Sequence, residues 1–341
     1  MSVLSKKELS QGHAAADIDA SWLKVRVDEI HSAGAGLKHF VLRPVEGRNV
    51  SPIQAGSHIK VLAGDSRRPV MRSYSLVNPG ERPEGYEIVV QYEPDGQGGS
   101  AWMHESVRKG DILRVSEPRN DFALDGKASK YLFIAGGIGI TPIYSMVQAV
   151  AGANSRPDYA LHYCGRSVER MAFAQELKTL CRDRLTLVVD GGNADKGLDL
   201  QAMLAQPEPG AQVYVCGPRG LIDACIETAL KNGWPRSALH FELFSGNAIQ
   251  ADNKIFEVVL QSSGLALTVP VHKSILEVIE EAGVFVISDC RRGECGACAA
   301  TVLEGVPEHR DIYLDEDEKN SATVLCTCVS RSRTARLVLD L

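Results

Sequence analysis

Apolar positions along the chain first alternate and then run together, and the change of rhythm divides it. From Trp22 to about Leu124, the segments LKVRV (23–27), HIKVL (58–62) and YEIVVQY (86–92) alternate or run apolar over strand lengths. Turn signals fall between them: Pro79-Gly80, Pro83 with Gly85, and Asp95-Gly96. A period of two is what a strand with one buried face requires, and short strands at this spacing predict a small antiparallel β-barrel. From Lys130 to about Phe244 the apolar runs are compact: YLFIA, YALHY, LTLVV and QVYVC. Helix-like stretches such as AFAQELKTL (172–180) and LIDACIETALKNG (221–233) separate them. That alternation predicts an α/β domain with a parallel sheet. After the polar stretch SGNAIQADN, strands return, with KIFEVVL and LALTVPV forming a hairpin around Ser262-Ser263-Gly264. SILEVIEEAG (274–283) predicts a helix closed by Gly283. The expected division is an aperiodic arm (1–21), a barrel (22–126), an α/β domain (127–244), a linker (245–253) and a C-terminal domain (254–341).

Length agrees with this division, since 341 residues at roughly 150 per domain give two to three domains. With 44% apolar and 23% charged residues, disordered, collagen-like and coiled-coil chains are excluded. A net charge of -6 argues against a nucleic-acid partner, which calls for a basic footprint. The charge-free stretch between Lys130 and Arg156 is long enough to span a membrane. Gly136, Gly137, Gly139, Thr141 and Pro142 at its centre make it a buried strand, a turn and a helix instead. No apolar stretch marks a secretory signal at the start, so a cytoplasmic protein without a membrane anchor is expected.

Composition becomes chemistry at the cysteines. There are nine, and five lie between Cys290 and Cys328. In CRRGECGAC, Cys290, Cys295 and Cys298 have the spacing C-x4-C-x2-C, and Cys328 follows thirty residues later. This is the plant-type [2Fe–2S] ligand spacing. Three thiolates from one tight loop and a fourth from another element suit a small cluster. Gly293 and Gly296 let backbone N–H groups approach its sulfides, and Ala297 leaves room. A structural zinc site is the alternative, but zinc sites pair two short Cys knuckles and here there is one. Cys326 and Cys328 both lie in LCTCVSR, on the same side if the segment is a strand, so the fourth ligand is ambiguous at this level.

Three further motifs bear on ligands. AGGIGITP (135–142) follows a strand and precedes a helix, where Gly136, Gly137 and Gly139 would let a pyrophosphate approach. Packing is the competing explanation for those glycines. VYVCGP ends a later strand of the same sheet, which brings Cys216, Gly217 and Pro218 to the carboxyl edge where ligands bind. Cys216 is either a small buried hydrophobe or a group packed on a nicotinamide. In the barrel, RSYSL carries Arg72 for a phosphate, Tyr74 with a flat face and a hydroxyl, and Ser73 and Ser75 as donors. Gly98, Gly99 and Ser100 precede a helix expected to begin at Ala101, forming a second anion site. Two phosphate devices in one barrel suggest a flavin phosphate. Cys164, Cys181, Cys225, His104 and His162 are expected to be structural.

In their order, RSYSL, GGS, GGIGITP, CGP, FELF, CRRGECGAC and CVSR resemble the phthalate dioxygenase reductase family, which includes vanillate demethylase and carnitine monooxygenase reductases. The resemblance spans about residues 22 to 341. It implies a multidomain chain: an antiparallel β-barrel flavin domain, an α/β parallel-sheet NAD domain and a C-terminal β-grasp plant-type ferredoxin domain. It further implies flavin binding by Arg72, Tyr74 and Ser75, with Gly99 and Ser100 at the phosphate. Gly137, Gly139 and Thr141 would line the dinucleotide site, Cys216 would border the nicotinamide, and Phe244 would lie near the flavin ring. The CVSR ending matches Cys328 as the fourth ligand, whereas Cys326 has no counterpart in the pattern. FMN, with FAD as the alternative, follows from the resemblance alone. NADH is preferred to NADPH, although Arg166 and Ser167 could meet a 2′-phosphate.

Electron counting then sets the expected function. NADH delivers two electrons as a hydride, a [2Fe–2S] cluster takes one at a time, and a flavin converts between them. The expected protein is an electron-transfer reductase, acting as a monomer and serving the terminal oxygenase of a Rieske-type oxygenase or demethylase system. From Lys254 onward there are 9 basic and 14 acidic residues, a net of -5, with DEDE (315–318) the densest run. Such a face could steer docking to a basic partner, although one acidic run is more simply a solvated loop. A stand-alone NAD(P)H flavin reductase or oxidase, and a zinc or redox-sensing interaction protein, are the competing readings.

Overall fold

The computed structural model describes residues 22–45, 50–64, 70–94, 96, 98–153, 157–244, 253–288, 291–293 and 295–341. The expected arm, nearly all of the expected linker, and Cys290 lie outside the described residues. The chain divides into two compact units, one ending at Phe241 and one running from Glu242 to Leu341.

Among the described residues, the first unit opens with six antiparallel strands: β1 (Leu23–Gly34), β2 (Leu37–Pro44), β3 (His58–Ala63), β4 (Val70–Ser75), β5 (Tyr86–Gln91) and β6 (Ile112–Val115). Their order is β4-β3-β6-β1-β2-β5, and the bridge Leu76–Ile88 joins the two edges, curling the sheet into the expected barrel. The alternation in sequence becomes burial. Val25, Val27, Phe40, Leu42, Ile59, Val61, Ile88 and Val90 face inward and are fully buried. Each contributes about 1.5–3 kcal/mol by leaving water.

A second sheet follows, with β7 (Lys130–Gly136), β8 (Asp158–Gly165), β9 (Leu185–Val189), β10 (Ala211–Cys216) and β11 (Leu239–Glu242) in the order β11-β10-β7-β8-β9. β7 pairs in parallel with both β8 and β10. The charge-free stretch is therefore β7, a short turn and the helix Ile140–Gly152. No helix among the described residues is long and apolar enough to cross a membrane. Sheet and barrel share one core, where Leu37, Val77, Val89 and Phe122 pack with Tyr131, Phe133 and Tyr214. The Tyr214 hydroxyl accepts from the Asp125 N–H (2.7 Å) and donates to the Ala123 carbonyl (3.1 Å), fixing the connection between the two halves.

The second unit has its own core and a mixed sheet. Its strands are β12 (Phe256–Leu260), β13 (Leu265–Val269), β14 (Ala299–Glu304), β15 (Pro307–Glu308), β16 (Val324–Cys326), β17 (Arg331–Ser332) and β18 (Arg336–Leu339). The main order is β13-β12-β18-β14-β16, with β12 and β18 parallel and the other pairs antiparallel, as a β-grasp domain requires. The expected hairpin turns at Gly264 (φ +67°), and the expected helix is Ile275–Glu281. Ser274 and Glu277 form a reciprocal capping box at its start.

Candidate functional sites

Strand order reverses between β7 and β10, which opens a crevice at their carboxyl ends. Ala135 pairs with Cys216 there, so the glycine turn and the Cys-Gly-Pro segment meet. A Cβ on Gly139 would overlap the Cys216 carbonyl, and one on Gly136 would stand 2.8 Å from both Pro218 and Leu221. Those glycines are required by close packing. Gly137 differs: its φ is +54° and nothing lies within 4 Å of its Cβ position, so this turn offers open backbone. The Thr141 hydroxyl donates to the Ile138 carbonyl (3.0 Å) and holds the turn. Cys216 is fully buried.

On β4, Arg72 and Tyr74 share the half-buried face while Ser73 is exposed and Ser75 is buried. The helix after the glycine pair is Gly99–Glu105, two residues earlier than expected, because Gly98 takes the left-handed conformation (φ +82°) at its cap. Gly99 is pressed against Arg72, since its Cβ would lie 2.7 Å from Arg72 Cγ. Strand and helix start therefore meet. Ser100 is occupied by the turn before it, its Oγ accepting from the Glu93 N–H (3.1 Å). The Tyr74 hydroxyl is buried with no hydrogen-bond partner among the described residues, and burial pushes its pKa up to about 12. An unpaired buried hydroxyl costs about 1–3 kcal/mol, so this phenol suits an acceptor brought by a ligand.

Of the four cysteines expected to hold the cluster, Cys298, Cys328 and Cys295 are described. Cys298 and Cys328 are buried, and Thr327 joins their segments, its hydroxyl (2.9 Å) and N–H (3.2 Å) both donating to the Cys298 carbonyl. The neighbouring Cys326 and Cys328 side chains shift the Cys298 thiol well below its ordinary pKa. Cys295 is exposed, and no three His, Cys or carboxylate side chains among the described residues converge on one point. Cys326 and Cys328 do not share a strand. β16 ends at Cys326, and Cys328 sits in a turn closed by the Ser330 N–H to the Cys326 carbonyl (3.0 Å). Around the ligand loop the fit is tight: a Cβ on Gly293 (φ +77°) would stand 2.6 Å from Val329 and 2.9 Å from the Asp311 backbone.

Residues without a sequence signal hold this region. The buried Asp311 carboxylate accepts from the Leu314 N–H (2.9 Å) and the Ser330 hydroxyl (3.1 Å). Arg331 donates to the carbonyls of Lys273 (2.7 Å), Lys254 (3.0 Å) and Pro270 (3.1 Å). Asp315 and Glu318 of the acidic run cap the helix Glu316–Ser321 reciprocally, so part of that run serves the fold. Phe244 is 41% exposed. Cys164, Cys181 and Cys225 are buried, and His104 donates to the Val90 carbonyl (2.8 Å), consistent with structural roles. In the first unit the Tyr144 and Phe173 rings stack at 4.0 Å, a contact with no sequence signature.

Comparison with known proteins bears on these sites. Residues 258–333 match the 2Fe-2S iron-sulfur cluster binding domain, and residues 133–227 the oxidoreductase NAD-binding domain. The tert-butanol monooxygenase / tert-amyl alcohol desaturase reductase subunit of Aquincola tertiaricarbonis is 38% identical over 94% of this chain and 96% of that protein. The phthalate 4,5-dioxygenase reductase subunit of Pseudomonas putida is 36% identical over 96% of this chain and 99% of that protein. The solved structure of phthalate dioxygenase reductase, described as a modular structure for electron transfer from pyridine nucleotides to [2Fe-2S], superposes with a TM-score of 0.73. It is 34% identical and covers 95% of this chain and 99% of that one.

Proposed function

The chain belongs to the phthalate dioxygenase reductase family, and on that premise we propose which of its residues carry the reaction. It is an NADH-dependent flavin and iron–sulfur oxidoreductase, the reductase component of an oxygenase system. Its cofactors are FMN and a [2Fe–2S] cluster. Bound FMN would take the hydride of NADH and supply single electrons to the cluster.

The protein's part is binding and geometry. Arg72 would neutralise the FMN phosphate beside the backbone of Gly98 and Gly99, with Ser100 holding the adjoining turn. Tyr74 would donate its buried hydroxyl to the flavin, flanked by Ser73 and Ser75. Gly137 would give the NADH pyrophosphate access to backbone, while Gly136, Gly139, Thr141, Gly217 and Pro218 keep the two crevice segments pressed together. Cys216 and Phe244 would border the hydride path. Cys290, Cys295, Cys298 and Cys328 would be the cluster ligands. The electron acceptor would be a terminal oxygenase component, met by a monomeric reductase in the cytoplasm.

The observation that supports this most is the meeting of the Cys298 and Cys328 segments, thirty residues apart in sequence and joined by the Thr327 bonds to the Cys298 carbonyl, on a chain whose first unit carries an NAD-binding domain. The test is the visible spectrum of anaerobically purified protein before and after NADH. Flavin bands and broad iron–sulfur absorbance, both bleached by NADH and with FMN released on denaturation, are expected. Flavin without cluster absorbance would turn the reading toward a simple flavin reductase. A colourless, zinc-bearing protein would overturn it.

A further inference from the structure

Hydride transfer makes a geometric demand that neither half of the first unit meets alone. Reacting atoms must be held about 3–3.5 Å apart, and a displacement of about 1 Å can cost about a hundredfold in rate. The segment assigned above to the flavin, RSYSL, belongs to the barrel, while the Gly137 turn and Cys216 belong to the parallel-sheet half. The gap between the two ligands is therefore set by how the barrel is fastened to that half. Their shared apolar core supplies contact but little direction. Direction comes from the helix Ile140–Gly152, which springs from the glycine turn. Its Tyr144 stacks on Phe173 at 4.0 Å, and the Phe173 ring stands edge-on to His39 of β2, with centroids 6.1 Å apart. A Cβ on Gly56, just before β3, would stand 3.0 Å from Met146 Cε. Gln148, one turn beyond Tyr144, donates its side-chain amide to the Val77 carbonyl (2.7 Å), across 71 positions of sequence. The helix itself offers that amide a longer contact, to the Tyr144 carbonyl at 3.4 Å. Val77 lies two residues beyond Ser75, and its N–H donates to the Glu87 carbonyl (3.0 Å). This tie thus ends on the continuation of the flavin segment itself.

We propose that Gln148 is a positioning residue for hydride transfer: by holding the Val77 carbonyl, it sets the flavin segment against the glycine turn at the other end of its helix. About 12 Å of helix joins the two. The proposal rests on the site reading above, and Gln148 acts through Val77.

The test is anaerobic stopped-flow reduction of the FMN-loaded, full-length protein by NADH and by NADH deuterated at the transferable position. Two readouts are independent of turnover: the FMN dissociation constant and the long-wavelength charge-transfer absorbance of nucleotide against flavin. Gln148→Met removes the donor, Gln148→Asn shortens its reach, and Gln148→Lys keeps a donor on a long stem. The first two variants should reduce flavin about tenfold more slowly at saturating NADH, with weaker charge-transfer absorbance and a larger isotope effect, while the dissociation constants of FMN and NADH move by less than about twofold. Gln148→Lys should return to within about threefold of the parent rate. Unchanged flavin reduction and charge-transfer absorbance in Gln148→Met and Gln148→Asn overturn the proposal. An equal fall in all three variants, lysine included, overturns it in favour of packing at this position. Weaker FMN binding with an unchanged reduction rate in flavin-saturated protein overturns it in favour of flavin retention. A parent protein that binds no FMN, or whose FMN affinity is untouched by Arg72→Ala and Tyr74→Phe, is a different result: it defeats the site reading itself, and the proposal with it.

Discussion

Tyr74 and Gly293 concentrate the residue-scale consequences. The Tyr74 hydroxyl is an unpaired buried donor, so Tyr74→Phe removes a cost from the flavin-free protein while removing a contact from the flavin-bound one. The variant should bind FMN about tenfold more weakly, near 1.4 kcal/mol, yet melt no lower than the parent once both are stripped of flavin. Equilibrium dialysis and thermal melts check the two halves separately, and a destabilised flavin-free variant would mean the hydroxyl has a partner in the fold. Gly293 is confined by the Asp311 backbone, whereas Gly264 at the β12–β13 turn has a similar positive φ and open space. Gly264→Ala should therefore cost only about 1 kcal/mol of backbone strain, while Gly293→Ala should cost at least about 3 kcal/mol and lose iron on purification. Iron content and denaturant melts of the pair check this. Residue types at these places were legible in sequence, but their reasons were only partly so. The glycines of GGIGITP suggested a phosphate cradle, but close packing against Pro218 and Leu221 accounts for Gly136 and against Cys216 for Gly139, leaving Gly137 open. Packing between segments eighty residues apart leaves no mark on local pattern.

Elements were the most legible level, because period-two alternation and compact apolar runs follow directly from one-sided and two-sided burial. β1, β3, β5, β7, β8, β9 and β10 fall where the pattern puts them, and the helix Ile275–Glu281 stops before Gly283 as expected. The segment LCTCVSR left the end of its strand open for a physical reason. Alternation extends through Cys328, but the ladder ends at Cys326, where the chain turns and Leu276 at the start of the helix donates its N–H to the Thr327 carbonyl (3.0 Å). That bond ties the helix start to the turn carrying Cys328, and the Ser274 cap supports it. Ser274→Ala should cost about 1 kcal/mol and quicken cluster loss under a chelator. Arg331 is the stronger tie. Its fork satisfies three carbonyls, those of Lys254 before β12, Pro270 after β13 and Lys273 before the helix cap, and stacks over Phe256 at 5.1 Å. Arg331→Leu strands those carbonyls and should destabilise the second unit by about 3 kcal/mol, with the melt of the first unit unchanged. A calorimetric trace that shifts as a whole would show that the units do not unfold separately.

At the scale of the whole molecule, the apolar clusters follow the division into units: among the described residues, those of the first unit extend to Cys216 and that of the second begins at Phe256. Charge is divided as well, with the region from Lys254 carrying a net of -5 out of -6. If this acidic region docks on a basic face of the oxygenase, electron transfer to it should slow as salt is raised past about 0.15 M, where screening shortens to about 8 Å, while NADH oxidation with a small neutral acceptor should not. The same division makes the relay separable. A chain ended at residue 250 keeps the barrel and the NAD-binding sheet with their shared core, and lacks every cluster ligand. Hydride transfer from NADH needs only what it keeps; delivery to a one-electron protein acceptor needs what it lacks. The fragment should oxidise NADH with a two-electron quinone dye at close to the parent rate. Its transfer to the oxygenase, or to cytochrome c as a surrogate, should fall at least about a hundredfold, which is a loss of more than 2.7 kcal/mol in the transition state for delivery. If the fragment delivers electrons to the oxygenase as fast as the full chain does, then the cluster lies off the path, and the second unit serves docking or stability alone.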